Sequence, residues 1–253
     1  MIPTSIDGTD ITGATIDGTD VQEITVDGDT VFSAAPQIPD EQDLHARYDA
    51  TELTLSDGSP VSTWPDLSGN GHDLTAGTAP TYDDDGINNL PAVVFDKNDD
   101  EFLDVSFTSL SQPNHIFIVF KNLNQTQEGV VFDGDSSFSQ ALVNASGNYR
   151  LFAGGGLFDG DADFGDIIQA SALFNGGSTE FRLNLGSRIA TGGNIDSSVS
   201  MDGLTLGTNG SQDFGRFTNV AIGEILVYPS DKSAIVADIE SYLEQRWAPF
   251  VFN

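Results

Sequence analysis

The sequence predicts an all-β fold: an antiparallel β-sandwich (a concanavalin A-like jelly roll in its layout) with one C-terminal helix and an N-terminal β-hairpin-repeat arm. Three observations predict it. Short apolar or alternating segments are separated by Gly-rich turns, one late segment has helical spacing, and a ten-residue repeat opens the chain. Strands at this spacing are typical of sandwiches, because a βαβ fold would place helical segments between them.

The composition limits the classes of function. The 253 residues contain 39 Asp and Glu against 9 Lys and Arg, a formal net charge of −30. Such a surface repels itself in dilute buffer, and at about 1 M salt the Debye length of roughly 3 Å removes most of that penalty. We interpret the charge as adaptation to molar salt; an acidic mesophilic secreted or calcium-binding protein is the alternative.

The same composition argues against several partners. The negative charge excludes phosphate-mediated nucleic-acid binding, and the absence of cysteine excludes disulfides and thiolate metal sites. No apolar run is long enough to span a bilayer, so we expect no membrane insertion. The N-terminus does not resemble a signal peptide, so we expect export by another route, such as release inside a virus particle.

Residues 1–35 contain three Asp-Gly pairs at ten-residue spacing, each directly after a β-branched residue. This is a strong hairpin signal, and such short strands cannot bury a core alone. We therefore predict an arm that pairs with other copies of the chain or docks on another protein; a private extension of the main domain is the alternative. The repeat consists of Ile6, Asp7, Gly8, Ile16, Asp17, Gly18, Val26, Asp27 and Gly28. Residues 36–43, with two prolines, are predicted to be a linker, and residues 44–253 the sandwich.

The stretch from residue 63 to 74 is the predicted centre of that sandwich. A tryptophan directly before a proline is followed by turn-forming residues, and we expect the ring to be a buried anchor beside a loop that bonds to its own backbone. The Asn-Gly pair is expected to use positive φ angles. The motif consists of Trp64, Asp66, Ser68, Gly69, Asn70 and Gly71.

Strands are predicted in order along the remaining chain. Residues 116–120 are apolar at every position, which indicates a strand covered on both faces, and residues 179–185 alternate, which indicates a half-buried strand. Other strands are expected at 61–64, 92–95, 102–105, 130–132, 141–143, 149–152, 167–168, 204–206 and 220–228. A helix capped by Ser230 or Ser233 should run to about Arg246.

These segments resemble a known family. Residues 48–50, 64–72 and 90–96, the strand at 222–228 and the helix ending at Trp247 occur in the order seen in laminin-G-like, concanavalin A-like jelly-roll domains. The resemblance covers about residues 44–247 and implies binding of carbohydrate or calcium, or glycoside hydrolysis. The repeat in the arm resembles N-terminal segments of tail or capsid-surface proteins of haloarchaeal tailed viruses.

Candidate sites follow from residue chemistry. Asp96, Asn98, Asp99 and Asp100 are the best local oxygen cluster for Ca²⁺, the one cofactor expected, although solvated surface is the alternative. The clusters at 83–85 and 99–101 are placed in loops, and the Glu-x-Asp-x-x-Glu pattern of related glucanases is absent, so we expect no enzyme and no catalytic residues.

Aromatic residues in loops are the candidates for sugar stacking. Phe158, Phe164 and Phe214 lie in Gly/Asp-rich segments, where they either contact a ligand or plug the ends of the sandwich. His45, His72 and His115 are far apart in sequence and lack ligand spacing, which argues against zinc.

Together these features predict a non-enzymatic virion structural protein of a halophile virus, a capsid turret or decoration protein or a tail fibre. It would form a homo-oligomer (trimer or pentamer), bind other virion proteins through residues 1–35, and project a lectin-like domain toward host-surface glycans or glycoproteins. Its location would be the virion surface. The alternative is a secreted or cell-surface carbohydrate-binding module of a halophile, with a glycosidase as a third hypothesis.

Overall fold

The structure is a computed structural model that describes residues 36–247 apart from 124–127, 137, 145–147, 160–166, 187 and 214. Between residues 5 and 33, and at positions 158, 159 and 188, it describes the strand backbone alone. The chain divides into two compact units, Met1–Gln37 and Ile38–Asn253. Among the described residues, no helix is long and apolar enough to cross a membrane.

The N-terminal unit contains hairpins. Each repeat supplies two strands that pair with each other, not the single strand per repeat that the sequence suggested. The pairs are β1 (Ser5–Ile6) with β2 (Thr9–Asp10), β3 (Thr15–Ile16) with β4 (Thr19–Asp20), and β5 (Glu23–Val26) with β6 (Asp29–Ser33). The pairing Ile6↔Thr9 leaves a two-residue connection, the length that Asp-Gly favours. The Asp and Gly of each turn lie outside the described residues.

The second unit is built from strands and one helix. In chain order the strands are β7 (Ala46–Asp49), β8 (Thr63–Trp64), β9 (Leu74–Thr78), β10 (Thr81–Ile87), β11 (Leu90–Phe95), β12 (Phe102–Leu110), β13 (Asn114–Asn122), β14 (Gly129–Asp133), β15 (Ala141–Asn144), β16 (Tyr149–Phe152), β17 (Gly156–Asp159), β18 (Ile167–Phe174), β19 (Glu180–Leu183), β20 (Arg188–Thr191), β21 (Met201–Leu206) and β22 (Val220–Tyr228). Helix α1 spans Val236–Trp247, and short 3₁₀ turns lie at Glu41–Asp43, Ala50–Glu52, Gly176–Ser178 and Ser233–Ile235.

The strands form two antiparallel sheets of eight. Sheet I has the order β10-β11-β22-β13-β18-β19-β20, with β7 also paired to β22, and sheet II has the order β17-β16-β15-β14-β21-β12-β9-β8. Along one edge, strand β22 pairs first with β11 and then with β7. Along its other edge it pairs with β13. The predicted fold class, an all-β antiparallel sandwich with one C-terminal helix, is confirmed.

The main core lies between the sheets. Ile116, Ile118 and Phe120 of β13 share one hydrophobic cluster with Leu204 and Leu206 of sheet II, and all five are fully buried. The alternate residues of β13 pack in a second cluster with α1. The prediction that this strand is covered on both faces is therefore confirmed, and each buried aromatic or aliphatic side chain contributes about 1.5–3 kcal/mol.

A bulge at Gly223 seats the helix. The pairing of β13 with β22 shifts between Val119↔Glu224 and Phe120↔Ile222, so Gly223 is the extra residue. A Cβ there would approach the Trp247 ring of α1 to 2.6 Å, closer than real contacts allow. The glycine thus lets the last turn of α1 lie directly on sheet I.

The predicted anchor is buried as expected. Trp64 is fully buried, 6.0 Å from the ring of Tyr48. The Asp66 carboxylate accepts from the backbone N–H of Ser68 and His72 and from that of Arg47 on β7. Burial alone would raise the pKa of Asp66. These hydrogen bonds lower it by more, so the pKa of Asp66 lies below its ordinary value. The loop therefore fastens β7 as well as itself.

One detail of the anchor loop differs from prediction. Positive φ occurs at Gly69 (85°) and Gly71 (78°), but not at Asn70. The Asn70 amide instead donates to the carbonyls of Leu44 and His45 at 3.0 and 3.1 Å. Asparagine is used here for its side-chain donor and not for its backbone freedom.

Two further predictions are wrong. Residues 83–85 lie in strand β10 and not in a loop, because an edge strand with exposed positions tolerates charge. Neither predicted serine caps the helix: Ser230 donates to Asp43, and a 3₁₀ turn precedes α1. The N-cap of that turn is Lys232, which makes no side-chain cap, and the Asp231 carboxylate before it accepts from the Ser233 N–H.

Candidate functional site

An apolar floor lies on the face of sheet II that points away from the core. Val130, Ala141 and Val143 are buried and form a cluster separate from the main core, and Phe138 and Phe152 pack over them. The β15 residues alternate, since Leu142 joins the main core while its neighbours join this cluster. This face of sheet II therefore carries two aromatic rings that helix α1 does not cover.

The strand pattern of β16 places one of the rings. Tyr149 and Leu151 point into the main core, so Arg150 and Phe152 point outward. Phe152 is half-buried, and its ring centroid lies 5.4 Å from that of Phe138 at an interplanar angle of 70°. This edge-to-face contact is a favoured geometry for aromatic pairs.

A buried carboxylate places the other ring. Asp133, fully buried at the end of β14, accepts from the backbone N–H of Phe138 at 2.5 Å, of Gly134 at 2.8 Å and of Gly210 at 3.2 Å. Burial raises the pKa of Asp133 to about 7, although these hydrogen bonds oppose the shift. Phe138 has a φ of 54°, a left-handed conformation that is strained for a bulky residue and recurs at ligand-binding sites.

Two arginines and one glutamate border the rings. Arg150 Nη2 lies 2.8 Å from Glu128 Oε1, and Arg216 Nη1 lies 3.1 Å from Glu128 Oε2. The guanidinium carbons of Arg150 and Arg216 lie 5.6 Å from the Phe152 centroid and 5.1 Å from the Phe138 centroid, respectively. We call these five residues (Glu128, Phe138, Arg150, Phe152 and Arg216) the Arg–Phe platform. It offers flat apolar surface beside charged hydrogen-bonding groups.

A second region is a cleft beside β10 with a volume of about 350 Å³. Its walls consist of Asp57, Thr81, Tyr82, Asp83, Val94, Asp96, Asp99 and Glu101. Carboxylate oxygens of Asp57, Asp83 and Asp84 lie within 4.8 Å of one another. The backbone N–H of Gly58 donates to the Tyr82 carbonyl and that of Tyr82 to the Ser59 carbonyl, each at 2.9 Å, which brings the turn at Asp57 beside β10. The three carboxylates supply part of the oxygen shell that calcium requires.

Of the four predicted calcium ligands, two line the acidic cleft beside β10 and two do not. Asp96 and Asp99 lie in the wall of the acidic cleft. The Asp96 carboxylate accepts from both the backbone and the amide of Asn98 at 2.8 Å, and Asp100 adopts a φ of 54° in the turn. Calcium binding by this set stays a prediction. Burial, with the charges of Asp96 and Asp99, raises the pKa of nearby Glu101, although the Asp96 N–H opposes the shift.

The predicted stacking residues give a mixed result. Phe158 lies in strand β17 and not in a loop, paired in register with Arg150, and its side chain is outside the description. Phe164 and Phe214 lie outside the described residues. Sequence reasoning missed all five platform residues and Asp57. The usable signal was the outward position of Arg150 and Phe152 in an alternating strand.

Two histidines that are distant in sequence meet in space. The rings of His45 and His72 lie 4.4 Å apart, each beside Phe107. The pKa of His45 lies below its ordinary value, because burial and the neighbouring His72 disfavour its charged form, although the charge of Asp66 opposes the shift. Among the described residues, the group of three acids around Asp83 is the only set of three metal ligands, so the pair lacks a third ligand.

Comparison with known proteins rests on structure alone. No family model and no curated protein matches the sequence. Among solved structures, Trypanosoma rangeli sialidase in complex with the inhibitor DANA matches with a TM-score of 0.56 and 9% identity, over 89% of this chain and 36% of that one.

Botulinum neurotoxins match as well. The receptor-binding domain of mosaic serotype C/D matches with a TM-score of 0.56 and 11% identity, over 81% of this chain and 51% of the toxin chain. A type C toxin, whose cell entry depends on interaction with two ganglioside molecules, gives 0.56 and 10% over 80% and 52%. The chain thus spans about a third to a half of these structures. At such identities the similarity shows the fold alone, a two-sheet antiparallel β-sandwich.

Proposed function

We propose that this chain is a non-enzymatic lectin-like protein that binds carbohydrate through the Arg–Phe platform. The observation that carries the proposal is the pair of half-buried rings of Phe138 and Phe152 on the outer face of sheet II, 5.4 Å apart and bordered by arginines. Sugar rings present apolar C–H faces that stack on aromatic rings, while charged and polar groups bond their hydroxyls. The ganglioside-binding toxin of similar fold supports this class of ligand.

The absence of catalysis is part of the proposal. Retaining hydrolysis needs two carboxyl groups about 5–5.5 Å apart across the scissile bond. In the described part of the platform, Glu128 is the one carboxylate, and both of its oxygens contact arginines. We expect bound oligosaccharide to be recovered intact after prolonged incubation; released reducing ends would contradict the proposal.

The platform residues give a direct test of carbohydrate binding. The full chain, labelled and kept in molar NaCl, is incubated with halophile cell envelopes and with immobilised oligosaccharides. Replacing both rings (Phe138→Ala with Phe152→Ala) should weaken binding at least about tenfold, because each aromatic contact contributes on the order of 1 kcal/mol. Ile189→Ala, which removes an exposed apolar side chain of sheet I, is the matched control. Unchanged binding by the double variant would refute the platform as the site.

The wider role that we propose is a structural protein of a halophile virion, with the lectin-like domain directed at the host surface. The net charge of −30 and the hairpin repeat support this role, the first as an adaptation to salt and the second as an anchor. The arm would hold a homo-oligomer together and attach it to other virion proteins.

The arm's role is tested by its turns. Gly8→Val, Gly18→Val and Gly28→Val together place β-branched residues where two-residue hairpin turns need positive φ. In multi-molar salt we expect the parent chain to sediment as a trimer or pentamer and the triple variant as a monomer. A monomeric parent chain, or a variant that assembles equally well, would refute the anchoring role.

A further inference from the structure

One carboxylate on the platform is held in an unusual way for an exposed group. Each oxygen of Glu128 contacts a different guanidinium, Arg150 at 2.8 Å and Arg216 at 3.1 Å. The three side chains are 38%, 22% and 32% exposed, so all three can be reached from solvent. A planar carboxylate bridged by two arginines is also the geometry in which proteins bind the carboxylate of a ligand.

The platform carries positive charge on a strongly acidic protein. Its two arginines and one glutamate sum to one positive charge, whereas the chain as a whole has a formal charge of −30. Several other basic residues are paired with acids elsewhere: Arg182 pairs with Glu240, and Lys232 with Asp40 and Asp43. In dilute buffer an acidic ligand would be repelled by most of this surface and attracted at the platform, and in molar salt only the direct contact with the arginines remains.

The rings fix where such a ligand would lie. Arg150 is beside the Phe152 ring and Arg216 beside the Phe138 ring, so a sugar stacked on either ring has a guanidinium at its edge. A carboxyl group on that sugar would reach the position that Glu128 now occupies. Because the Glu128 pairs are exposed to water, exchanging this carboxylate for another costs little.

We infer that Arg150 and Arg216 form the recognition site for the carboxylate of an acidic sugar, such as a uronic acid. Glu128 occupies that site in the free protein and is displaced on binding. The inference rests on the proposed function, and it names both the ligand class and a competing group within the chain. An acidic sugar must displace Glu128, whereas a neutral sugar stacks on the rings without displacing it. Glu128 therefore lowers the affinity mainly for acidic sugars.

Matched ligands and charge changes test the inference. Binding of the full chain in molar NaCl to oligoglucuronate, to a neutral oligoglucose of equal length and to sulfated oligoglucose is measured by calorimetry. Glu128→Gln should raise affinity for oligoglucuronate about three- to tenfold, because the internal competitor is gone, and should change affinity for neutral oligoglucose by a clearly smaller factor. Glu180→Gln, which removes a partner of Arg182 on sheet I, is the control for a lost surface carboxylate.

The converse variant removes one guanidinium. Arg216→Gln should weaken oligoglucuronate binding about tenfold and neutral oligoglucose binding by a clearly smaller factor, and Lys121→Gln controls for the same change in net charge. Near-ultraviolet circular dichroism confirms that each variant is folded.

The possible outcomes separate the two proposals. Equal binding of neutral and acidic oligomers, both lost in the ring variants, would overturn this inference and leave the proposed function standing. A lower affinity of Glu128→Gln for oligoglucuronate would overturn the displacement. Tighter binding of the sulfated oligomer than of oligoglucuronate would overturn the carboxylate assignment. No binding of any of the three sugars by the parent chain would overturn both proposals.

Discussion

The two sheets each carry a glutamate between two arginines and beside two aromatic rings, and the two clusters have opposite fates. On sheet I, Glu224 lies 3.5 Å from Arg47 and 3.3 Å from Arg246, measured to the Nε atoms. Tyr242 and Trp247 of helix α1 each donate to it at 2.7 Å. On sheet II the corresponding aromatic partners are phenylalanines, which have no donor to offer.

The two clusters differ in whether a helix covers them. The Glu224 side chain is fully buried beneath α1, whereas 38% of the Glu128 side chain is exposed. Burial raises the pKa of Glu224, and the charge of Asp49 adds to the shift, while hydrogen bonds from Trp247 and Tyr242 and the charge of Arg246 oppose it. With every oxygen satisfied from the helix, the buried cluster fastens α1 to the sheet. The open cluster keeps a group that a ligand can replace.

The largest expected effect is on the buried cluster. Glu224→Ala leaves Asp49 as the one carboxylate that Arg47 and Arg246 share. It also removes the acceptor of two buried helix donors, so the free energy of unfolding should fall by about 3–5 kcal/mol. Glu128→Ala, the matched change on sheet II, should cost less than about 1 kcal/mol because its pairs are exposed. Chemical denaturation of both variants in the same salt measures the difference. Equal losses of free energy of unfolding in the two variants would show that burial beneath α1 does not distinguish the clusters.

A smaller effect on the free energy of unfolding is expected from the protonation of His115, which also lies on the helix-facing side of sheet I. Its Nε2 lies 2.7 Å from the Ser171 hydroxyl, its ring stacks on Phe117, and the charges of Asp231, Arg182 and Lys232 act on it. Burial lowers the pKa of His115 to about 3, from about 6.5 in an unfolded chain.

The sign of the pH dependence follows from that shift. As pH falls from about 6.5 toward 3, the unfolded chain takes up a proton that the folded chain refuses, so stability falls; above about 6.5 the group has no effect. Between pH 7 and 4 the parent should lose on the order of 2–3 kcal/mol more than His115→Asn. Taking the difference between the two proteins cancels groups of opposite sign, such as Asp133, whose raised pKa favours folding at low pH. Parallel pH profiles would contradict the burial argument.

The sequence predicted what is local and missed what the topology assembles. Alternation over residues 179–185, which contain β19, and the continuous apolar run in β13 specify strands because side chains alternate across a sheet. The turn chemistry from Trp64 to Gly71 identified the anchor loop. The platform was missed because Phe138, Arg216 and Glu128 come from three separate connections, which meet only through pairing of β14 with β15 and β21.

The acidic residues were misjudged for a related reason. Three consecutive aspartates at 83–85 suggested a loop, yet β10 is an edge strand and only the neighbouring turn at Asp57 completes the carboxylate group. The partner of a charge is a tertiary property, so sequence alone could not distinguish the buried Glu224 from the open Glu128.

The smallest expected effect concerns that acidic cleft, which sharpens the comparison because it lacks arginine. Among the described residues no ion pair involves Asp57, Asp83 or Asp84, so their charges repel one another across less than 4.8 Å. In calcium-free dilute buffer, Asp84→Asn should stabilise the fold by a few tenths of a kcal/mol up to about 1 kcal/mol.

Added calcium should reverse this order if the carboxylates of Asp57, Asp83 and Asp84 hold a Ca²⁺ ion. A cation that binds only the folded chain raises its stability by mass action, so millimolar CaCl₂ should raise the Tm of the parent and leave Asp84→Asn nearly unchanged. Asp85→Asn, on the same strand but outside the group, removes one charge without removing a ligand. If Asp84→Asn and Asp85→Asn respond to calcium alike, the ion acts on net charge and the cleft is not a site. If only Asp84→Asn loses the rise in Tm with calcium, a cation neutralises these carboxylates. Arginines do the same for Glu224 and Glu128.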